Sequence, residues 1–166
     1  MAEALLISRD DIVKFTALDG NVDTDKFIQF IKIAQDIHIQ SYLGTDLLNK
    51  IKAEILSVTL ATPYLELLRD YIKPMLIHWA MVEYLPFAAY TIANKGVYKH
   101  GSENSENVGK NEIDFLIEKE RSIAVHYSER FVDYICYNSS TFPEYTSNSN
   151  SDMHPKTDSN LGGWYL

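Results

Sequence analysis

The chain has 166 residues, room for one domain with extensions. Its 15 Lys and Arg against 23 Asp and Glu give a formal charge of −8, and no Lys/Arg run offsets it, so dedicated nucleic-acid binding is disfavoured: phosphates repel acidic surfaces. An apolar fraction of 46% supports a real core, the single cysteine (Cys136) excludes an intramolecular disulfide, and no charge-free stretch of about 18 apolar residues, as a membrane helix needs, is present.

The opening "MAEALLISRDD" is too short and too acidic to read as a signal peptide, so the expectation is a soluble protein. "SRDD" then predicts a helix start, with Ser8 as N-cap and Asp11 three residues on in a capping-box pattern. Ile12, Val13 and Phe15 come next, and Gly20 stops this short helix. In "VDTDKFIQFIKIAQDIHIQSYLG", Phe27, Ile31 and Ala34 line one face, which Phe30, Ile33 and Ile37 widen, and Leu43-Gly44 is the stop. Thr45 is placed to cap a third helix carrying Leu48, Ile51 and Ile55.

From Thr62-Pro63 a central helix is expected, apolar on nearly every side between Met75 and Ile92, as for a helix surrounded by others. Pro74 and Pro86 should kink or split it, and Asn94 and Gly96 end it. Met75, Trp79, Val82 and Leu85 are its expected buried residues. After the polar loop "VYKHGSENSENVGK" comes a long amphipathic helix, with Ile113, Leu116, Ile123, Tyr127, Phe131 and Tyr134 on one stripe and Glu118, Arg121 and Glu129 opposite. Beyond Asn138 the composition turns to Ser, Thr, Asn and Pro. The expectation is therefore an all-α fold: a compact bundle of about five helices over residues 1–138, and an extended Ser/Asn-rich arm over residues 139–166 with a hydrophobic end.

No phosphate loop, paired-cysteine metal signature or nucleophile elbow is present. Cys136, between Ile135 and Tyr137, reads as a small buried side chain rather than a catalytic thiol, which needs a nearby base and an electropositive setting. His126 and Glu129, three apart on one helix, supply two metal-ligand types, but two ligands on a helix more often form a solvated pair. His78 and Glu83, five apart, point to different faces. No catalytic, cofactor-binding or metal-binding residues are expected. The unusual feature is the aromatic set. There are 11 Tyr, many late in the chain, and Tyr combines apolar area with a hydrogen-bonding tip. Tyr127 and Tyr134 fit the rim of a helical core. Tyr145, Trp164, Tyr165 and Leu166 lie among residues too polar to build a core, so they are the candidate partner-binding residues of the arm.

"FIKIAQDIHIQSYLGTDLLNKI" resembles a stretch of the head–tail connector (adaptor, neck-ring) proteins of tailed bacteriophages, most closely those of Bacteroidetes phages, including crAss-like phages. The matching residues are Ala34, Gln35, Ile37, Leu43, Gly44, Leu47 and Ile51; the later "Y…PM…W…Y" helix and the long last helix fit the same layout, over about residues 5–138. The pattern is one of packing, not catalysis.

The resemblance implies a structural virion protein, not an enzyme, without cofactor or metal. Such proteins form a homo-oligomeric ring, commonly of twelve subunits, in the phage neck at the head–tail interface, after assembly in the host cytoplasm. The implied partners are the portal protein and other neck or tail proteins, with no membrane. Genomic DNA passes through the channel without specific binding, which an acidic surface would favour. The alternative is a small intracellular helical regulator or ligand-binding bundle with a cavity beside Trp79 and Tyr84. A helix-turn-helix reader built on "SYLGTDLL" is opposed by the charge of −8.

Overall fold

The computed structural model describes residues 4–18, 24–88, 90–93, 96–99, 109–147, 149 and 152–156. Ser8 opens α1 (Arg9–Phe15) as its pattern predicts: the Asp11 amide donates to Ser8 Oγ at 3.3 Å, and the Ser8 amide donates to Asp11 Oδ2 at 2.9 Å. Two N–H groups that the first turn would leave without partners are thus satisfied. Ile12 is buried, whereas Phe15 is 59% exposed. Gly20 lies outside the described residues.

α2 (Thr24–Ala34) buries Phe27, Phe30, Ile31 and Ala34. The chain then makes a π-helical turn, Gln35–Ile39, before α3 (Gln40–Leu43). A π-turn holds one residue more than an α-turn and so rotates the residues after it about the helix axis. Gln35 is fully buried; its side-chain N–H donates to the Ala4 carbonyl at 3.1 Å, and its Oε1 accepts from the Leu6 amide at 3.0 Å. Ala4 and Leu6 are thereby pinned to the core. The expected widening of the apolar face fails at Ile33 and at Ile37, which is 56% exposed.

Gly44 ends α3 with φ at 75°, a conformation closed to most side chains. α4 (Thr45–Leu56) comes next and buries Leu47, Leu48 and Ile51. Thr45 does not cap it; Gly44 occupies that position.

The central helix is divided at both expected prolines. α5 (Tyr64–Leu67) passes through a π-helical turn, Leu68–Ile72, into α6 (Lys73–Tyr84), with Pro74 in its first turn. Pro86 sits in a 3-10 turn, Leu85–Phe87. α6 buries Met75, Leu76, Ile77, Trp79, Ala80, Met81 and Val82, so it is enclosed on nearly every side; Leu85 is only partly buried. It lies between α2 and α7 (Lys110–Tyr137), packing against both.

The helix does not run on to Ile92. Beyond Pro86, β1 (Tyr90–Ala93) pairs antiparallel with β2 (Gly96–Lys99), Tyr90 opposite Lys99 and Ala93 opposite Gly96. Proline breaks the helical ladder, and "YTIA" and "GVYK" are rich in β-branched and aromatic residues a two-residue connection apart. This hairpin replaces part of the expected polar loop, as an appendage to an all-α helical bundle.

Ala124, Ser128, Phe131, Val132 and Ile135 form the buried seam of α7, at steps of three and four. The expected stripe is thus shifted: Ile123, Tyr127 and Tyr134 flank the seam, and Leu116 is exposed.

The expected boundary after Asn138 is also corrected. A 3-10 turn, Ser139–Thr141, leads into α8 (Pro143–Ser147), which packs on α4, with Phe142 fully buried and Tyr145 only 4% exposed. Tyr145 therefore belongs to the core of its own chain, not to a free arm. Its ring meets Phe131 edge-on at 6.4 Å, and its hydroxyl donates to the Lys156 carbonyl at 3.2 Å. Residues 152–156 continue as a strap across the α3–α4 corner. The Thr45 amide donates to the Met153 carbonyl at 3.0 Å, the Met153 amide to Thr45 Oγ1 at 3.0 Å, and the Lys156 amide to the Ser41 carbonyl at 2.9 Å. Two aromatic rings and backbone pairing suffice to hold a polar-looking segment whose composition alone suggests an arm. Trp164, Tyr165 and Leu166 lie outside the described residues.

Candidate functional site

Among the described residues an open groove of about 620 Å³ lies where α1, the Leu68–Ile72 turn, α6 and α7 meet. α1 contributes Asp11, Lys14 and Phe15; the π-turn contributes Arg69 and Asp70; α6 contributes Lys73, Pro74, Ile77 and His78; α7 contributes Tyr127 and Arg130. Four Lys/Arg side chains therefore gather around two carboxylates, on a chain whose overall charge is −8. No run of basic residues marks this in the sequence, because the four come from three separate segments.

Lys73 Nζ is 3.1 Å from Asp11 Oδ2, and Arg69 donates to both oxygens of Asp70, at 2.7 and 2.6 Å. Burial raises the pKa of Asp11, but the Ser8 amide, Lys73 and the Ser8 hydroxyl together outweigh it and hold the carboxyl below its ordinary value. The Arg69 guanidinium does the same for Asp70. Arg130 lies 4.8 Å over the Tyr71 ring, a cation–π contact, and its Nη1 reaches the Asp70 carbonyl at 3.4 Å. Lys14 lies 5.4 Å from the Phe15 ring. The groove thus offers an apolar floor with a cationic surplus at its rim, suited to a segment that carries both apolar and acidic side chains.

At the back of the groove His78 stacks on Tyr127 at 5.4 Å, and its Nδ1 is 2.7 Å from Glu120 Oε2. A second His–Glu pair joins the π-turn after α2 to α6. His38 Nε2 is 2.8 Å from Glu83 Oε1, and the His38 ring stacks on Trp79 at 3.9 Å. Burial depresses the His38 pKa, and Glu83 offsets this only in part. Trp79 Nε1 donates to Ser128 Oγ at 3.0 Å, and Ser128 Oγ donates to the Ala124 carbonyl at 2.8 Å. Beside Trp79 and Tyr84, where the alternative reading places a cavity, His38 stacks on Trp79, and Tyr84 packs on Phe27 at 4.7 Å and Phe30 at 5.5 Å. Both His–Glu pairs bridge residues more than forty apart in sequence, so no local spacing signals them.

His126 and Glu129 are both exposed. Among the described residues, no group of three or more His, Cys, Asp or Glu side chains stands where it could hold a metal ion. Cys136 is exposed, against expectation, because its neighbour Ile135 takes the inward position and the next helical residue turns about 100° away.

Large apolar side chains are exposed on both sides of α6. Ile28, Ile33 and Ile37 lie on or just after α2; Phe115, 69% exposed, and Leu116, 45% exposed, lie in the first half of α7. A family model matches residues 39–154. The chain belongs to this family, DUF6712, described as a family of unknown function. The DUF6712 span runs through α8 and into the strap, well beyond Asn138. No curated protein matches the chain, and no solved structure matches it.

Proposed function

We propose that this member of DUF6712 is a structural virion protein: a ring in the neck of a tailed phage that joins the portal vertex of the capsid to the tail and leaves a channel for DNA. The observation that carries the reading is the set of exposed large apolar side chains on two elements that both pack on α6, Ile28, Ile33 and Ile37 on or just after α2 and Phe115 and Leu116 on α7. A subunit that must bury two different faces against its neighbours is what a head-to-tail ring requires, since heterologous contacts close into rings when their rotation allows. The resemblance of the stretch around Ala34, Gln35, Ile37, Leu43, Gly44, Leu47 and Ile51 supports the same reading. All but Ile37 are buried, so those six describe how the α2–α4 corner is built rather than a reaction. The role needs no catalysis. In this reading the end of the chain, Trp164, Tyr165 and Leu166, anchors on the portal, an adjacent subunit or the next tail component; truncation after Asn160 should preserve the melting temperature and abolish that docking.

The 620 Å³ groove favours one second reading, a small intracellular regulator that binds an anionic ligand. Mass and location separate the two. Sedimentation of the purified chain, alone and with portal protein, should reveal a species of many subunits, and the chain should be present in purified phage particles. A protein that remains a monomer or dimer in both mixtures and is missing from particles would end the ring proposal.

A further inference from the structure

We infer that the first three turns of α7 are a docking element for a second copy of this chain, and that the groove between α1, α6 and α7 is their receptor. The inference deepens the ring reading, on which it rests, by naming two surfaces that would meet. The first support is an unfinished helix. Residues 110–119 include no buried side chain, although the same helix is firmly seated from Ala124 onward. At about 1.5 Å per residue, roughly 15 Å of helix stands with Phe115 and Leu116 exposed and with nothing among the described residues to bury them. The Glu112 side chain accepts from the Gly109 amide at 2.8 Å, so this unburied start is a formed helix end.

Chemistry selects the receptor. Asp114 and Glu118 project from the same turns as Phe115 and Leu116, and both are exposed. An apolar pair flanked by carboxylates matches a groove with an apolar floor and a cationic surplus, where Phe15 is itself exposed at the mouth. The groove is a cationic island on an acidic chain, so a second copy is attracted there and repelled over most of the remaining surface.

Geometry makes the contact intermolecular. Phe115 and Arg130 belong to one continuous helix, fifteen residues and about 22 Å apart, so no copy can place its own Phe115 in its own groove. Every copy therefore offers one donor face and one receptor.

The test uses full-length chains with Cys136→Ser, mixing one preparation carrying Phe115→Cys with another carrying Lys14→Cys. Under mild oxidation the mixed disulfide should form, whereas a partner carrying Ile28→Cys should give little. Separately, Lys14→Glu with Arg130→Glu should weaken self-association at least about tenfold, as should Asp114→Lys with Glu118→Lys, and combining the two reversed pairs should restore it. Circular dichroism checks that each variant is folded. Cross-linking no better than the Ile28→Cys control, or reversed pairs that leave self-association unchanged, would overturn the inference. Rings that form without this contact would sink the inference and spare the proposed function. A specific cross-link within an assembly that stops at a dimer would uphold the inference and sink the ring.

Discussion

The two halves of α7 obey the same helical rules and have opposite fates. From Ala124 to Ile135 the helix buries five side chains against α6 and its neighbours; from Lys110 to Lys119 it buries none. Both halves carry large apolar residues, Phe131 and Ile135 in one, Phe115 and Leu116 in the other. Composition therefore does not separate them. What separates them is how much of each is covered: in the first half only Ile117 packs against the core, part-buried, while Phe115 and Leu116 are exposed. The lesson is that an amphipathic pattern states that a face needs covering, not that the same chain covers it.

The contrast is broken most directly at its two phenylalanines. Phe131→Ala should lower stability by about 3–5 kcal/mol, since it empties a fully buried site, whereas Phe115→Ala should change it by less than about 0.5 kcal/mol. Denaturant titration of both variants decides; equal losses would mean that the first half of α7 is packed after all. Next in size, Ser128→Ala strands the Trp79 indole N–H in a buried setting and should cost about 1–3 kcal/mol, whereas Ser122→Ala, on the exposed surface of α7, should cost almost nothing. The thermal shift of each variant reads this difference.

Tyr145→Phe sharpens the comparison from the side of Tyr145, whose ring meets the buried half at Phe131 and whose hydroxyl holds the strap. It keeps the ring against Phe131 and removes the hydroxyl, with its bond to the Lys156 carbonyl and its interaction with Cys136, so a loss of about 0.5–1.5 kcal/mol is expected. Proteolysis should then cut the strap sooner while the helices persist.

The smallest effect is with pH. His38 stacks on Trp79, and its folded pKa lies below the ordinary value of 6.5, so the unfolded chain binds more protons in the interval between the two values. Stability is therefore retained above about pH 7 and declines as pH falls through 6.5 towards the folded value. His38→Gln should flatten that slope between about pH 7.5 and 5.5. Asp11, whose folded pKa is also depressed, contributes stability that is lost at lower pH, below its ordinary 3.8. Unfolding midpoints of both proteins across the range test this; parallel curves would remove His38 as the source.

Local signals are legible where the physics is local. The Ser8–Asp11 capping box, the Gly44 stop, the breaks at Pro74 and Pro86, the buried face of Phe27, Ile31 and Ala34, and the enclosure of Met75, Trp79 and Val82 all depend on a residue and its neighbours within a few turns. Less of the candidate site is visible. Lys14, Arg69, Lys73 and Arg130 belong to segments that only the fold brings to one rim, and neither His–Glu pair has a local spacing. Tyr145 reads as an arm residue because its neighbours are polar, although its own ring and that of Phe142 suffice to dock the segment.

By itself, the sequence determined that this is a helical chain with an apolar central helix, capped and broken at identifiable residues, since propensity, capping and periodicity act over one or two turns. The tertiary structure alone decided which apolar faces meet. Ile33 and Ile37 were left facing solvent, a proline break converted the end of an expected helix into a hairpin, and a polar tail acquired two aromatic anchors in the core. Each of these outcomes depends on groups far apart in the chain arriving at one place, where burial and hydrogen bonding outweigh what any short stretch prefers.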